Sequence, residues 1–133
     1  MTERSIHLKD QNDVVAARQV GREMAQEIGL GSADQTRLAT AISELARNAL
    51  QYAGGGVCTF TDESDQNVIS IRAVIEDRGP GISDVQKAME DGFSTSRGLG
   101  AGLPGAKRLV QDFDVESRPG YTRVTIAIVR RRP

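Results

Sequence analysis

The sequence predicts an α+β fold: a two-layer α/β sandwich, with a mixed and mainly antiparallel sheet on one side and helices on the other. Helical and strand-like periodicities both occur, and they succeed one another roughly as βααββαα and then ββ. Strand-like runs come in pairs joined by short polar turns, which favours hairpins and antiparallel neighbours. A length of 133 residues suits one domain that encloses its own core without metal or disulfide support, so a single domain over residues 1–133 is expected.

The elements follow in order. A short strand is expected around Ser5 to Leu8. From Asn12 to Ile28, residues Val14, Ala17, Gly21, Met24 and Ile28 recur at helical spacing, and Gly29 and Gly31 end that helix. Ser32, three residues before Gln35, has the spacing of a capping box and opens a second helix. Its inner face carries Leu38, Ile42, Leu45 and Ala49, and Gly54, Gly55 and Gly56 stop it. The runs Val57–Thr61 and Val68–Ile75, separated by DESDQN, read as a hairpin. After EDRGPGI a short helix is expected, capped by Ser83 with Gln86 three residues on, then the loop DGFSTSRGLGAG and a helix from Pro104 to about Val110. Strands Phe113–Ser117 and Thr122–Val129, joined by a turn at Pro119 and Gly120, close the chain.

Composition removes several classes of function. With 38% hydrophobic and 26% charged residues the chain reads as ordinary globular protein. Its 17 basic and 18 acidic residues are mixed along the sequence, so there is no broad cationic footprint and nucleic acid is not an expected partner. No apolar run approaches a membrane span, the nearest being Val124–Val129, so no membrane partner is expected either. A lone cysteine, Cys58, and an N-terminus without a signal-like apolar stretch point to a cytoplasmic location.

Chemistry concentrates in three places. In ISELARNALQYA, Glu44 and Asn48 stand four residues apart on one helix face, beside the apolar stripe rather than opposite it. Asparagine offers an oxygen to a hard cation and glutamate can accept a proton; two solvated polar residues on an amphipathic helix give the same pattern. In DRGPG, Asp77 emerges where a strand opens into a loop, and Gly79 and Gly81 allow a sharp turn and close approach to a flat ligand. The carboxylate there suits an exocyclic amine such as that of adenine, although an aspartate in a plain strand-to-helix turn reads alike. In STSRGLGAGLPGAKRL, Gly98, Gly100 and Gly102 alternate just before a helix, so exposed N–H groups and the positive helix end favour phosphate over a merely flexible loop. Gly100, Gly102 and Gly105 also have GxGxxG spacing, but no strand leads into them and too little chain follows for a dinucleotide-binding βαβ unit. The P-loop pattern and the motifs of eukaryotic-type kinases are missing.

In this order these motifs resemble the GHKL superfamily of ATPases and kinases, with its Bergerat fold, and the likeness spans nearly the whole chain. Within it the runs DVVAARQVGREMAQEIG, TAISELARNA, EDRGPGI and MEDGFSTSRGLGAGLPGAKRL are most similar to small serine/threonine kinases of bacterial anti-sigma switch modules. The resemblance implies ATP and Mg2+ as cofactors, with Asn48 on the metal, Asp77 on the adenine amine, and Gly79 and Gly81 shaping the base pocket. It further implies that Gly98, Gly100 and Gly102 line the phosphates, that Thr122 helps to hold the nucleotide, and that Glu44 is the general base. The implied reaction is phosphorylation of serine or threonine on a STAS-domain antagonist protein carried by a scaffold. Release from that substrate would then let the kinase activate a PP2C-type phosphatase that controls a sigma factor in a stress response. An anti-sigma factor, or another nucleotide-dependent binding module with little transfer, is the alternative.

Arg97 departs from the pattern, standing where relatives often carry a further glycine; it meets either the γ-phosphate or solvent. His7 lies near the first strand without a helical dimerisation segment, which suits a surface residue better than a phosphoacceptor. Arg18 and Arg22 share one helix face and read as a solvated charged face or as a dock for an acidic partner.

Overall fold

The computed structural model of the chain describes residues 2–81 and 103–133. Eight elements lie within them: β1 (Glu3–Leu8), α1 (Gln11–Glu27), α2 (Ser32–Ala53), β2 (Gly56–Asp62), β3 (Val68–Asp77), α3 (Leu103–Leu109), β4 (Asp112–Arg118) and β5 (Tyr121–Arg131). The expected short helix near Ser83 and the loop with Arg97, Gly98, Gly100 and Gly102 lie outside the described residues.

The five strands form one sheet in the order β1-β2-β3-β5-β4, and every neighbouring pair is antiparallel. Side chains alternate across it, so Cys58, Phe60, Ile71, Ala73, Ile75, Val124, Ile126 and Ile128 are buried on one face. Against that face lie Val14, Ala17 and Met24 of α1 and Leu38, Ile42, Leu45 and Ala49 of α2, all in the same core. Each fully buried Leu or Ile there contributes roughly 1.5–3 kcal/mol relative to an exposed one. Burial also pushes the Cys58 thiol up to about 12, which keeps it un-ionised.

Local chemistry sets the element ends. Helix α1 starts at Gln11, one residue before the expected Asn12, behind a capping box: the Asp10 side chain accepts from the Asp13 N–H while the Asp13 side chain accepts from the Asp10 N–H. It ends in a Schellman arrangement, with Gly29 at φ 103 and the Leu30 N–H donating to the Ala25 carbonyl. Helix α2 differs from expectation at its start. Gly31 is its N-cap and Ser32 is already helical, so no side-chain capping bond forms; Gln35 instead donates from Nε2 to the Leu30 carbonyl, 2.9 Å away. Between β2 and β3, Asp65 accepts the N–H groups of Asn67 and Val68 and so closes the expected hairpin. Pro119 and Gly120, the latter at φ 85, form the turn between β4 and β5.

In the first turn of α2, Asp34 is buried at 6% exposure. It takes both Arg130 Nε and Nη2, at 2.6 and 2.8 Å, together with Arg37 Nη1 at 2.8 Å. The Arg130 hydrogen bonds hold its carboxyl below the usual aspartate value, with Arg37 acting in the same direction and burial against it. This pair ties the start of α2 to the end of β5.

Candidate functional site

The second half of α2 passes over the ends of β3 and β5, and a pocket lies between them. Helix α2 supplies Leu45, Asn48, Ala49, Tyr52 and Ala53, spaced three or four residues apart and therefore on one face. Strand β3 supplies Ile75 and Asp77, and β5 supplies Thr122 and Val124; residues two apart point to the same side of a sheet. Pro80, Gly81 and Leu103 complete the lining. The pocket is thus apolar in its walls, with three polar side chains, Asn48, Asp77 and Thr122, facing inward, as ligand sites commonly are.

Strand pairing aligns two of these three. Asp77 is opposite Thr122 in the β3–β5 ladder, and Thr122 is opposite Ser117 in the β4–β5 ladder, so three oxygen-bearing side chains form one row across three strands. Thr122 is buried, and its Oγ1 lies 2.7 Å from Ser117 Oγ, which also donates to the Tyr121 carbonyl at 3.3 Å. Asp77 is half-buried, and its Oδ1 accepts the Gly79 N–H at 3.0 Å. Among the described residues no cation pairs with it. Burial raises its pKa above the ordinary aspartate value, while the Gly79 N–H acts in the opposite direction. On α2, the Nδ2 of Asn48 is buried without a hydrogen-bond partner among the described residues. Unpaired buried polar atoms are uncommon; Arg72 Nε and Arg123 Nε are two others among the described residues, but only Asn48 lines the pocket, where a ligand could complete its bonding.

The two glycines after Asp77 are required by contact. A Cβ on Gly79 would lie 2.5 Å from the Ala53 Cβ, so the loop rests directly on the end of α2. Gly81 has φ +85, and a Cβ there would lie 2.3 Å from the Arg118 carbonyl oxygen. The loop is therefore pinned between α2 and the β4–β5 turn, which fixes Asp77 at the pocket mouth. On the opposite side of the sheet Tyr121 braces the same strand ends: its hydroxyl donates to Glu76 Oε2, and the Arg118 guanidinium lies 4.4 Å from its ring centre. The Glu76 bond raises the Tyr121 pKa, so the phenol stays a donor.

Glu44 lies one turn before Asn48 but does not line the pocket; its side chain is 41% exposed and pairs with Arg47 at 3.2 Å. His7 is exposed on β1 opposite Val57. Arg18 and Arg22 are exposed on α1, and Arg22 reaches the Thr36 hydroxyl at 3.4 Å. Among the described residues no three His, Cys, Asp or Glu side chains come together as a metal cluster, and no helix is long and apolar enough to cross a membrane. A cation in this pocket would therefore take the neutral amide oxygen of Asn48 and most of its compensating charge from its ligand.

Sequence reasoning missed Tyr52, Ser117 and Leu103. Tyr52 continues the Glu44–Asn48 spacing by one more turn, and that signal was present. Ser117 becomes visible only through strand register, which pairs it with Thr122.

Residues 33–132 match the family model of histidine kinase-, DNA gyrase B- and HSP90-like ATPases. Serine/threonine-protein kinase RsbT of Bacillus subtilis (strain 168) is 55% identical over 108 residues, 81% of either chain. Anti-sigma F factor of Caldanaerobacter subterraneus subsp. tengcongensis is 31% identical, over 93% of this chain and 91% of its own length. Among solved structures, the RsbU and RsbW domains of a Mycobacterium tuberculosis protein superpose with a TM-score of 0.72 at 24% identity, over 100% of this chain and 34% of that one. This chain spans about a third of that longer protein. The catalytic domain of histidine kinase ThkA superposes with a TM-score of 0.56 at 18% identity, over 96% of this chain and 95% of its own. At these identities both structures bear on the fold alone.

Proposed function

The chain belongs to the histidine kinase-, DNA gyrase B- and HSP90-like ATPase family, and from that premise we propose that it is a cytoplasmic serine/threonine protein kinase of a partner-switching module. The observation that carries the reading is 55% identity to a serine/threonine-protein kinase over four-fifths of both chains. The pocket chemistry supports it: among the described residues a half-buried carboxylate with no cation beside it and a buried hydroxyl share one strand row, and an amide nitrogen without a partner lies on α2 in the same lining.

In this reading ATP lies with its base between α2 and the ends of β3 and β5. Asp77 accepts a hydrogen from the exocyclic amine of adenine, Thr122 lies beside it, and Gly79 and Gly81 leave room for the flat ring. Asn48 fits Mg2+ because its orphaned amide can present Oδ1 by a half-turn of the side chain. The metal would supply charge neutralisation to the phosphates. Gly98, Gly100 and Gly102 offer backbone N–H groups to the same phosphates. Glu44, one turn from Asn48, takes the proton of the incoming serine or threonine hydroxyl on its carboxylate as that oxygen bonds to the γ-phosphorus, while the bond from the γ-phosphorus to the β-phosphate oxygen breaks and ADP leaves with that electron pair. The substrate is a STAS-domain protein on its scaffold, and the released kinase activates a PP2C-type phosphatase that controls a sigma factor.

The 31% identity to an anti-sigma factor over 93% of the chain favours a second reading, in which nucleotide sets affinity for a sigma factor and transfer is slight. The test is incubation with labelled ATP, Mg2+ and candidate STAS proteins, beside a pull-down with sigma factors. Label on a STAS serine or threonine supports the kinase; ATP-dependent capture of a sigma factor without label supports the second reading. No binding of ATP at all overturns both.

A further inference from the structure

Glu44 is read above as the base for the incoming hydroxyl, yet in the empty protein its carboxylate is turned aside. An α-helix advances about 100° per residue. On α2, Leu45, Asn48, Ala49 and Tyr52 make up the face that lines the pocket, and Glu44 stands at one border of that face. Arg47 lies about 60° beyond Glu44, on the side away from the pocket. Its Nη1 donates to Glu44 Oε1 at 3.2 Å, so the guanidinium draws the carboxylate off the border that it shares with Asn48. Both side chains are open to water, at 48% and 41% exposure, and an exposed pair at this spacing is weak enough to exchange partners readily. Among the described residues Glu44 is the only carboxylate that Arg47 meets. Arg47 is on the wrong side of the helix to reach a phosphate in the pocket; it faces the solvent from which a protein substrate must bring its hydroxyl.

We propose that Arg47 is a positioning residue that holds Glu44 away from the reacting phosphate until an acidic side chain beside the target hydroxyl of the protein substrate takes over its guanidinium. The inference rests on the reading of Glu44 as general base, and it adds what the substrate must carry. A guanidinium presents a planar fork of donors that meets one carboxylate with two hydrogen bonds, so an Asp or Glu of the substrate competes directly with Glu44. After the exchange Arg47 is still paired, and Glu44 is free to turn toward Asn48 and accept the hydroxyl proton. Without a substrate the same contact restrains hydrolysis. In that reaction a water oxygen bonds to the γ-phosphorus, the bond from the γ-phosphorus to the β-phosphate oxygen breaks, ADP leaves with that electron pair, and the water proton goes to Glu44. Arg47 thus couples the availability of the base to the presence of the right partner.

The experiment measures ATP hydrolysis by the protein alone and phosphoryl transfer to the STAS-domain protein that it labels, for wild type, Arg47→Ala, Arg47→Lys and Arg47→Glu, with melting temperatures in parallel. Arg47→Ala is expected to raise hydrolysis without a partner roughly two- to fivefold, the weight of an exposed ion pair. In the Glu44→Gln background the same substitution is expected to produce no rise, because Arg47 acts only through Glu44. For transfer, Arg47→Ala is expected to raise the KM for the STAS protein roughly tenfold, the loss of one charge-assisted contact, with no fall in kcat. Arg47→Lys keeps the charge without the fork and is expected to lie between alanine and wild type. Arg47→Glu is expected to weaken transfer further, and changing the acidic residues near the labelled hydroxyl to arginine one at a time restores it at one position. Unchanged hydrolysis in Arg47→Ala, a rise that persists in Glu44→Gln, or failure of every arginine exchange to rescue Arg47→Glu overturns the proposal. Should the alanine variant fail to fold, Arg47→Gln replaces it with the same expectations and the same refutations. A wild type that labels no STAS protein refutes the kinase reading itself, a result distinct from a labelled substrate whose KM the Arg47 variants leave unmoved.

Discussion

Replacing Asp77 by asparagine is expected to raise the melting temperature of the ligand-free protein while weakening its hold on ATP. Asp77 is half-buried with no cation beside it among the described residues, and burial raises its pKa. A raised pKa means that the ionised carboxylate is less favourable folded than unfolded; its contribution is fully present below the ordinary aspartate value and is lost as pH rises through the folded one. At pH 7 the group therefore subtracts stability. Asparagine removes that cost and still offers an oxygen to the Gly79 N–H, so the loop keeps its anchor. Because the carboxylate is half open to water, screening limits the gain to about 1 kcal/mol or less, at most roughly 4 °C in Tm for a chain of this size. On the ligand side, a charged acceptor is lost and an amide hydrogen can face the adenine amine. The loss is about 1.5–3 kcal/mol, a roughly ten- to hundredfold weaker Kd. Thermal melts of the free protein and calorimetric ATP titrations measure the two effects. Equal ATP affinity removes Asp77 from the site, and a lower Tm in the variant refutes the argument that burial of this carboxylate is held against a cost. In wild type, ATP affinity is also expected to decline as pH falls through the raised pKa of Asp77, with the asparagine variant flat over that window.

Three further outcomes follow from the same geometry. Asn48→Asp is expected to leave the melting temperature of the free protein close to wild type and to change the stabilisation gained from ATP with Mg2+; identical gains in both proteins exclude Asn48 as a metal ligand. Glu44→Gln is expected to keep ATP binding and to slow single-turnover transfer to a STAS partner roughly a hundredfold or more, the scale of lost general-base help; an unchanged rate sinks the assignment, and lost binding gives Glu44 a structural role. Asp34→Asn is expected to cost about 1–2 kcal/mol at pH 7. The Asp34 pKa is lowered, so its stabilisation is present above the ordinary aspartate value and disappears as pH falls through the folded one; the gap in Tm between variant and wild type must close in acid, and a gap that stays constant contradicts the ion-pair account.

The architecture was legible because its signals are local. Alternation in β3 and β5 and the three- to four-residue stripe of α2 each report a buried face directly, and the hairpin at Asp65 rests on bonds within four residues. Asp77, Gly79 and Gly81 were legible for the same reason, since a carboxylate and two glycines after an apolar strand constrain one short loop. The capping of α2 was misread because Ser32 and Gln35 have the right spacing but Gly31 takes the cap and Gln35 turns back to Leu30. Ser117 escaped notice for a different reason: its place beside Thr122 follows from the register of β4 on β5 across the turn at Pro119 and Gly120, which brings residues five apart face to face. Glu44 stands one turn before Asn48 as the spacing implies, but its carboxylate pairs with Arg47, three residues on, and does not line the pocket.

Two aspartates show how structure separates support from chemistry. Asp34 is buried and Asp77 half-buried; among the described residues the first is met by two guanidinium groups and its pKa falls, while the second is met by one backbone N–H and its pKa rises. Burial of a charge is costly unless it is paired, so a half-buried carboxylate without a cation among the described residues is suited to a ligand that completes it. The partners of Asp34 come from α2 and β5 and link those two elements. Asp77 faces a row of hydroxyls and an orphaned amide, groups that offer hydrogen bonds but no compensating charge. A ligand that brings its own amine to this edge and its own charge toward Asn48 satisfies all of them at once, and a nucleoside triphosphate with its cation has that distribution. The stability that Asp77 withholds from the empty protein therefore returns as binding free energy, which is why the same substitution is expected to move melting temperature and affinity in opposite directions.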